Sequence, residues 1–170
     1  MSFWIQGLRA LQVWCLAIWL GGFTFYSAVV IPGLHEQLGG PMETGLVTQQ
    51  VTNYLNLIGL VTIVIGAVGL AGERIAGADR RASSLPAILL LGLTSGCLVA
   101  LYWLHHLLDQ KLDAGTLTGF YTLHRVYLWV SVLQWLANLG LLACWAGVIG
   151  GGATLNPAQE DSSFRGTDRA

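Results

Sequence analysis

Residues 126–149 read VYLWVSVLQWLANLGLLACWAGVI, without a single charged side chain. About 20 consecutive apolar residues carry a helix across the hydrocarbon core of a bilayer, and this stretch is long enough. Three more stretches of the same kind precede it. Residues 10–32 (ALQVWCLAIWLGGFTFYSAVVIP) are uncharged, residues 54–72 carry one amide, Asn56, and residues 85–108 carry only the two histidines, His105 and His106, as titratable groups of basic character. None shows the two-residue alternation of a barrel strand, and a helix satisfies its own backbone hydrogen bonds in lipid. The expected fold is therefore all-α: a polytopic membrane protein with a four-transmembrane-helix bundle in residues 1–149 and a polar, disordered cytoplasmic tail in residues 150–170.

The composition agrees. Of 170 residues, 54% are hydrophobic and 10% charged, where a soluble domain carries about 25% charged residues. That composition excludes an intrinsically disordered chain. A net charge of −1 offers no electrostatic footprint for nucleic acid. A single cation, Arg9, precedes the first stretch, and its apolar run exceeds the core of a cleavable leader, so it reads as a retained anchor.

Cations sort the two sides. Arg9, Arg74, Arg80, Arg81, Arg165 and Arg169 fall on one side of a four-crossing chain, and Lys111 and Arg125 on the other. The positive-inside rule then puts both termini in the cytoplasm, in what reads as a bacterial inner membrane, multi-pass. Trp4, Trp103, Trp129, Tyr102, Tyr121 and Tyr127 near the span ends suit the aromatic belts of the interfaces.

Lipid provides no hydrophobic drive for helix association, so small and polar residues mark the contacts. Gly92 and Gly96, Ala143 and Gly147, Gly66, Gly69 and Gly72, and Gly21-Gly22 are such places. Packing within the bundle is the favoured reading over a homo-oligomer interface or a contact in a larger membrane complex. In the last span, His124, Tyr127, Ser131, Gln134 and Asn138 recur at intervals of three and four, which puts them on one helical stripe. A polar stripe in hydrocarbon should face the bundle interior. A partner stripe is read in the third span from Ser95, Tyr102, His106 and Asp109, and Gln49, Asn53 and Asn56 add to it from the second. Together they outline a polar pocket of Asn56, Tyr102, His106, His124, Tyr127, Ser131, Gln134 and Asn138. The competing reading is an interhelical hydrogen-bond network that holds the bundle together.

All four histidines fall on the expected outer side. His35, His105, His106 and His124, with Asp109 one turn after His105, form a candidate metal set, since imidazole and carboxylate suit copper or zinc. Haem b, with His106 and His124 as axial ligands, is a further alternative. Against both, histidine suits a membrane interface without any metal, and no HExxH or CxxC motif is present. Cys15, Cys97 and Cys144 lie within the spans, where a structural disulfide is not expected. No Walker loop, GxGxxG or GxSxG occurs, and the reading leans away from an enzyme.

Gly21-Gly22-Phe23, Phe25, Val29-Val30-Ile31-Pro32-Gly33-Leu34, Gly45-Leu46-Val47 before Tyr54, and Phe120 and Leu123-His124 together resemble the transmembrane-protein-205-like family of uncharacterised four-helix membrane domains. The resemblance implies a four-helix membrane domain without an assigned activity. Copper-resistance and haem-binding four-helix membrane proteins are similar in placing histidines near helix ends. The function expected is an integral membrane protein with an outward polar pocket for a small ligand or metal ion, or a membrane-complex subunit. Haem or copper handling, and transport by an oligomer, are the alternatives.

Overall fold

A computed structural model describes residues 3–38, 41–75, 85–115 and 118–151. All regular structure among them is helical: α1 (Phe3–Phe25), a π-helical segment (Tyr26–Val30), α2 (Ile31–Leu38), α3 (Pro41–Ile75), α4 (Leu85–Asp113) and α5 (Phe120–Gly151). Four helical stretches are long and apolar enough to span a membrane, with α1, the π-segment and α2 forming one of them. The helices close a ring in which α1 packs on α3, α3 on α4, α4 on α5 and α5 on α1. Large apolar side chains such as Trp14, Ile18, Val64, Val68, Leu89, Val99, Trp129 and Leu136 cover the outside. In water such a surface would aggregate, whereas in a bilayer it meets acyl chains.

Chain chemistry explains the break in the first span. Pro32 has no N–H, and its ring crowds the carbonyl of Ala28, four residues earlier. The helix accommodates this by widening over the π-segment, where Ile31 N–H bonds to Tyr26 O, five residues back. It then continues to Leu38, past the expected end at residue 32. The GLVTQQVTN stretch, residues 45–53, extends the second spanning helix backward. Gly150 and Gly151 belong to α5 rather than to a tail, and residues 152–170 lie outside the described residues, as do Arg80, Arg81, Arg165 and Arg169.

The core lies toward the Arg9 end. Leu16 and Trp19 of α1 meet Leu70 of α3, Ala87, Leu91 and Leu98 of α4, and Leu141 and Trp145 of α5. Close approach depends on missing side chains. A Cβ at Gly59 would run into the Trp19 indole, and one at Gly69 into the Gln12 amide. Gln12, itself buried, donates to Gly66 O at 3.2 Å, tying α1 to α3. By contrast, Gly92, Gly96, Gly147 and Gly21 face open space, so the α4 glycine pair does not serve packing within the chain.

Two charges are buried in this apolar setting. Arg9 Nε of α1 donates to Glu73 Oε1 of α3. Arg9 is one of the orienting cations above, and the apolar stretches 54–72 and 85–108 leave residues 73–84, Glu73 first, as the expected loop between them. Instead Glu73 sits in the last turns of α3, its side chain 4% exposed. The rest of that loop, from residue 76, lies outside the described residues.

Between α4 and α5, Thr94 Oγ1 donates to Asn138 Oδ1 at 3.1 Å and Gln134 Nε2 reaches Thr94 O at 3.5 Å. All three side chains are buried. Interhelical hydrogen bonds in lipid contribute about 0.6 kcal/mol on average and about 1.7 at most. Asn138→Leu should therefore lower stability by about 1 kcal/mol in a detergent unfolding titration. A loss several times larger would mean that this network, rather than apolar packing, holds α4 against α5.

Candidate ligand cavity

Beyond the packed core, toward the α4–α5 turn, the bundle encloses a cavity of about 450 Å³. Trp19 and Phe23 form its floor. The π-segment and α2 contribute Tyr26, Ser27, Ile31 and His35. From α3 come Thr48, Thr52 and Asn56, from α4 Leu101, His105 and Asp109, and from α5 Phe120, His124, Tyr127, Ser131 and Gln134. The volume falls within the range of small-molecule sites, about 300–1,000 Å³, and the wall has their usual mixture of apolar surface with a few polar groups.

Each polar group has a local reason for its position. On α5 the spacing of His124, Tyr127, Ser131 and Gln134 aligns them along the cavity wall, with Ser131 Oγ bonded back to Tyr127 O at 2.9 Å. The rings of Phe120, His124 and Tyr127 lie nearly parallel, with centroids 5.9 and 6.5 Å apart, as one aromatic wall. Opposite, Tyr26 donates its hydroxyl to Thr48 O at 3.2 Å. His105 is buried, its Nε2 3.6 Å from Asp109 Oδ2 and its ring 6.3 Å from that of Tyr127. Among the described residues, His105 Nε2 and Asn56 Nδ2 are both buried without a hydrogen-bond partner, and both residues line the cavity.

The structure corrects part of the pocket read from sequence. Tyr102 is 68% exposed on the outer face of α4, and His106 is exposed there as well, bonded to Gln110 at 3.1 Å. Neither lines the cavity. The inward face of α4 is Thr94, Leu101, His105 and Leu108, each one residue before the Ser95, Tyr102, His106 and Asp109 of the expected stripe. One residue is a rotation of about 100°. Asp109 still reaches the cavity rim. Asn138 lies deeper, in the α4–α5 bond to Thr94 and outside the large cavity. Asn53 is exposed, whereas Gln49 lines the wall.

The histidine set does not assemble. His35, His105, Asp109 and His124 all contribute to the lining, but among the described residues no three His, Cys, Asp or Glu side chains converge as a metal shell requires. His106 faces away from the bundle that His124 lines, so the two cannot flank one haem inside it. Cys15, Cys97 and Cys144 are free thiols.

Tyr26, Trp19, Thr48 and Thr52 also line the wall and are not singled out by the sequence, and Phe120, quoted above only for the family resemblance, lines it as well. Pro32 was the available signal for the first of these, since its helix break turns residues 26–31 toward the cavity.

Four membrane-length apolar helices around a buried core make this a multi-pass integral membrane protein. Residues 14–114 match the family described as Domain of unknown function (DUF4149), more than half of the chain, and the protein belongs to that uncharacterised family. The matched segment ends where α4 ends, so α5 and its polar stripe lie beyond it. No curated protein and no solved structure matches the chain.

Proposed function

We propose that this protein is a membrane-embedded binding protein whose cavity opens toward the outer face and holds a small ligand. The observation that carries this reading is the buried amide of Asn56 on the cavity wall, whose Nδ2 has no hydrogen-bond partner among the described residues, together with the buried His105, whose Nε2 stands 3.6 Å from Asp109 Oδ2, too far for a good hydrogen bond. An unsatisfied buried polar group costs about 1–3 kcal/mol. A guest with an oxygen acceptor relieves that cost, which is a reason for such groups to persist in a wall that apolar residues could fill. The test is native mass spectrometry of the protein released from mild detergent. A small-molecule adduct on the wild type, lost in Asn56→Leu and in His105→Phe, supports the reading. Equal adducts in all three overturn it, as does stoichiometric bound metal that disappears in His105→Ala.

The orientation is proposed on the cation distribution: six arginines toward the termini, against Lys111 and Arg125 at the cavity end. A four-helix domain over residues 1–149 with a cytoplasmic tail, in a bacterial inner membrane, is the matching arrangement. The kinship to the transmembrane-protein-205-like domains is proposed on the short patches quoted above, among them Gly21-Gly22-Phe23, residues 29–34, and Phe120 with Leu123-His124. A Gly115→Cys variant should react with a membrane-impermeant maleimide in intact cells, while Cys15, Cys97 and Cys144 stay silent within the spans. Labelling of residue 115 only after lysis would reverse the orientation.

A further inference from the structure

We infer that the cavity takes the head of a neutral, lipid-like amphiphile, which slides in sideways from the bilayer between the π-segment and α5. The inference rests on the cavity reading above and adds the route and the ligand class.

The route follows from the way the first span bends. Thr24, at the end of α1, is tied to α5 by Trp135 Nε1, which donates to Thr24 Oγ1 at 2.9 Å. Two residues later the helix widens, and from there the chain leaves α5. Among the described residues, neither the π-segment nor α2 has a Cα within 8 Å of α4 or α5. Yet Tyr26, Ser27, Ile31 and His35 on one side, and Tyr121, His124 and Leu128 on the other, line the same cavity. The ring of helices is therefore closed at the Thr24–Trp135 clasp and open above it. Leu128, apolar and exposed, lines the cavity on the α5 side of this opening, and Ser27, also exposed, lines it on the other, so the opening is continuous with the lipid-facing surface. A π-bulge inside a spanning helix is often found at a functional site.

The ligand class follows from charge. Among the described residues no Lys or Arg lines the cavity, so an anionic headgroup finds no countercharge from them. Among the described lining residues the carboxylate is that of Asp109, which is already beside His105. The unmatched donor among the described residues is Asn56 Nδ2, while His105 Nε2 faces Asp109 Oδ2 at 3.6 Å. The Asn56 amide suits the hydroxyl, carbonyl or ester oxygens of an uncharged head such as a glycerol monoester. Its chain need not fit inside, because it can trail through the opening into the acyl region.

The probe is a monoacylglycerol with a diazirine in its chain, added to the protein in phosphatidylcholine vesicles, irradiated and mapped by mass spectrometry. The expected adducts lie on residues 26–31 and 121–128, and an excess of unlabelled monoacylglycerol removes them. Ser27→Trp, at an exposed position, should obstruct the opening and reduce these adducts about tenfold, as loss of roughly one good hydrogen bond at the head should in Asn56→Leu. Leu136→Trp, on the lipid-facing side of α5, should leave them unchanged. If Asn56→Leu abolishes the adducts and Ser27→Trp does not, the cavity stands and the lateral route falls. If neither variant matters and labels spread evenly over the outward residues, both readings fall. Equal, competable labelling by a phosphatidic acid or alkylamine probe overturns the neutral class.

Discussion

Arg9→Met is expected to lower stability by about 3–5 kcal/mol, because it strips the partner from a carboxylate buried between α1 and α3. Glu73 then either keeps a charge in an apolar setting or takes up a proton there. Glu73→Leu should be similarly costly, leaving the Arg9 guanidinium buried instead. The combined Arg9→Met/Glu73→Leu variant should return close to wild type or exceed it, since a buried pair replaced by apolar groups of similar size commonly loses little. That expectation is stronger here because the pair is only half satisfied: among the described residues, Arg9 Nη2 and Glu73 Oε2 have no hydrogen-bond partner. Denaturation by SDS in mixed micelles, run on all four proteins of the cycle, measures this. Additive losses would show that the two side chains do not interact, and the contact between α1 and α3 would then have to rest on apolar packing and Gln12.

The second large effect is expected at Trp19, which is 3% exposed and fills the space left by Gly59. Trp19→Ala should cost about 3 kcal/mol, the low end of the range for deleting a buried aromatic. The low end applies because a bilayer-embedded chain gains little from removing apolar surface from water, so the loss is mainly one of packing contacts. Gly59→Leu alone should cost about 1–3 kcal/mol, by forcing the indole off its position. Together the two changes should cost clearly less than their sum, because the new leucine occupies the vacated volume. The same titration reads the coupling. Independent effects would mean that α1 and α3 do not meet at this point. Trp19 also floors the cavity, so Trp19→Ala is expected to enlarge it, whereas Gly59→Leu is not.

Much of the architecture is written in local composition. Residues 126–149 read as a crossing without reference to the rest of the chain, because hydropathy and length are summed along one segment. The α5 stripe is similarly legible: three- and four-residue intervals put Ser131, Gln134 and Asn138 on one face whatever surrounds them, and that face is buried. The third span is where such reasoning fails. Its polar residues are few, and choosing Ser95, Tyr102 and His106 rather than Thr94, Leu101 and His105 misplaces the face by one residue. Leucines occupy both sides of α4, so no contrast in polarity marks the inward one, and lipid accepts either. Thr94, fully enclosed, and the pairing of His105 with Asp109 show the true side only when α5 is in place.

The sequence by itself thus determined the number of crossings, the helical class and the polar face of α5, each a property of spacing within one segment. Only the tertiary structure decided the rotation of α4, the burial of Arg9 against Glu73 and the gap above Thr24. The physical reason is shared. In a bilayer the outside of the bundle is as apolar as its core, so the direction a helix faces is settled by fit against its neighbours and not by the greasiness of its residues.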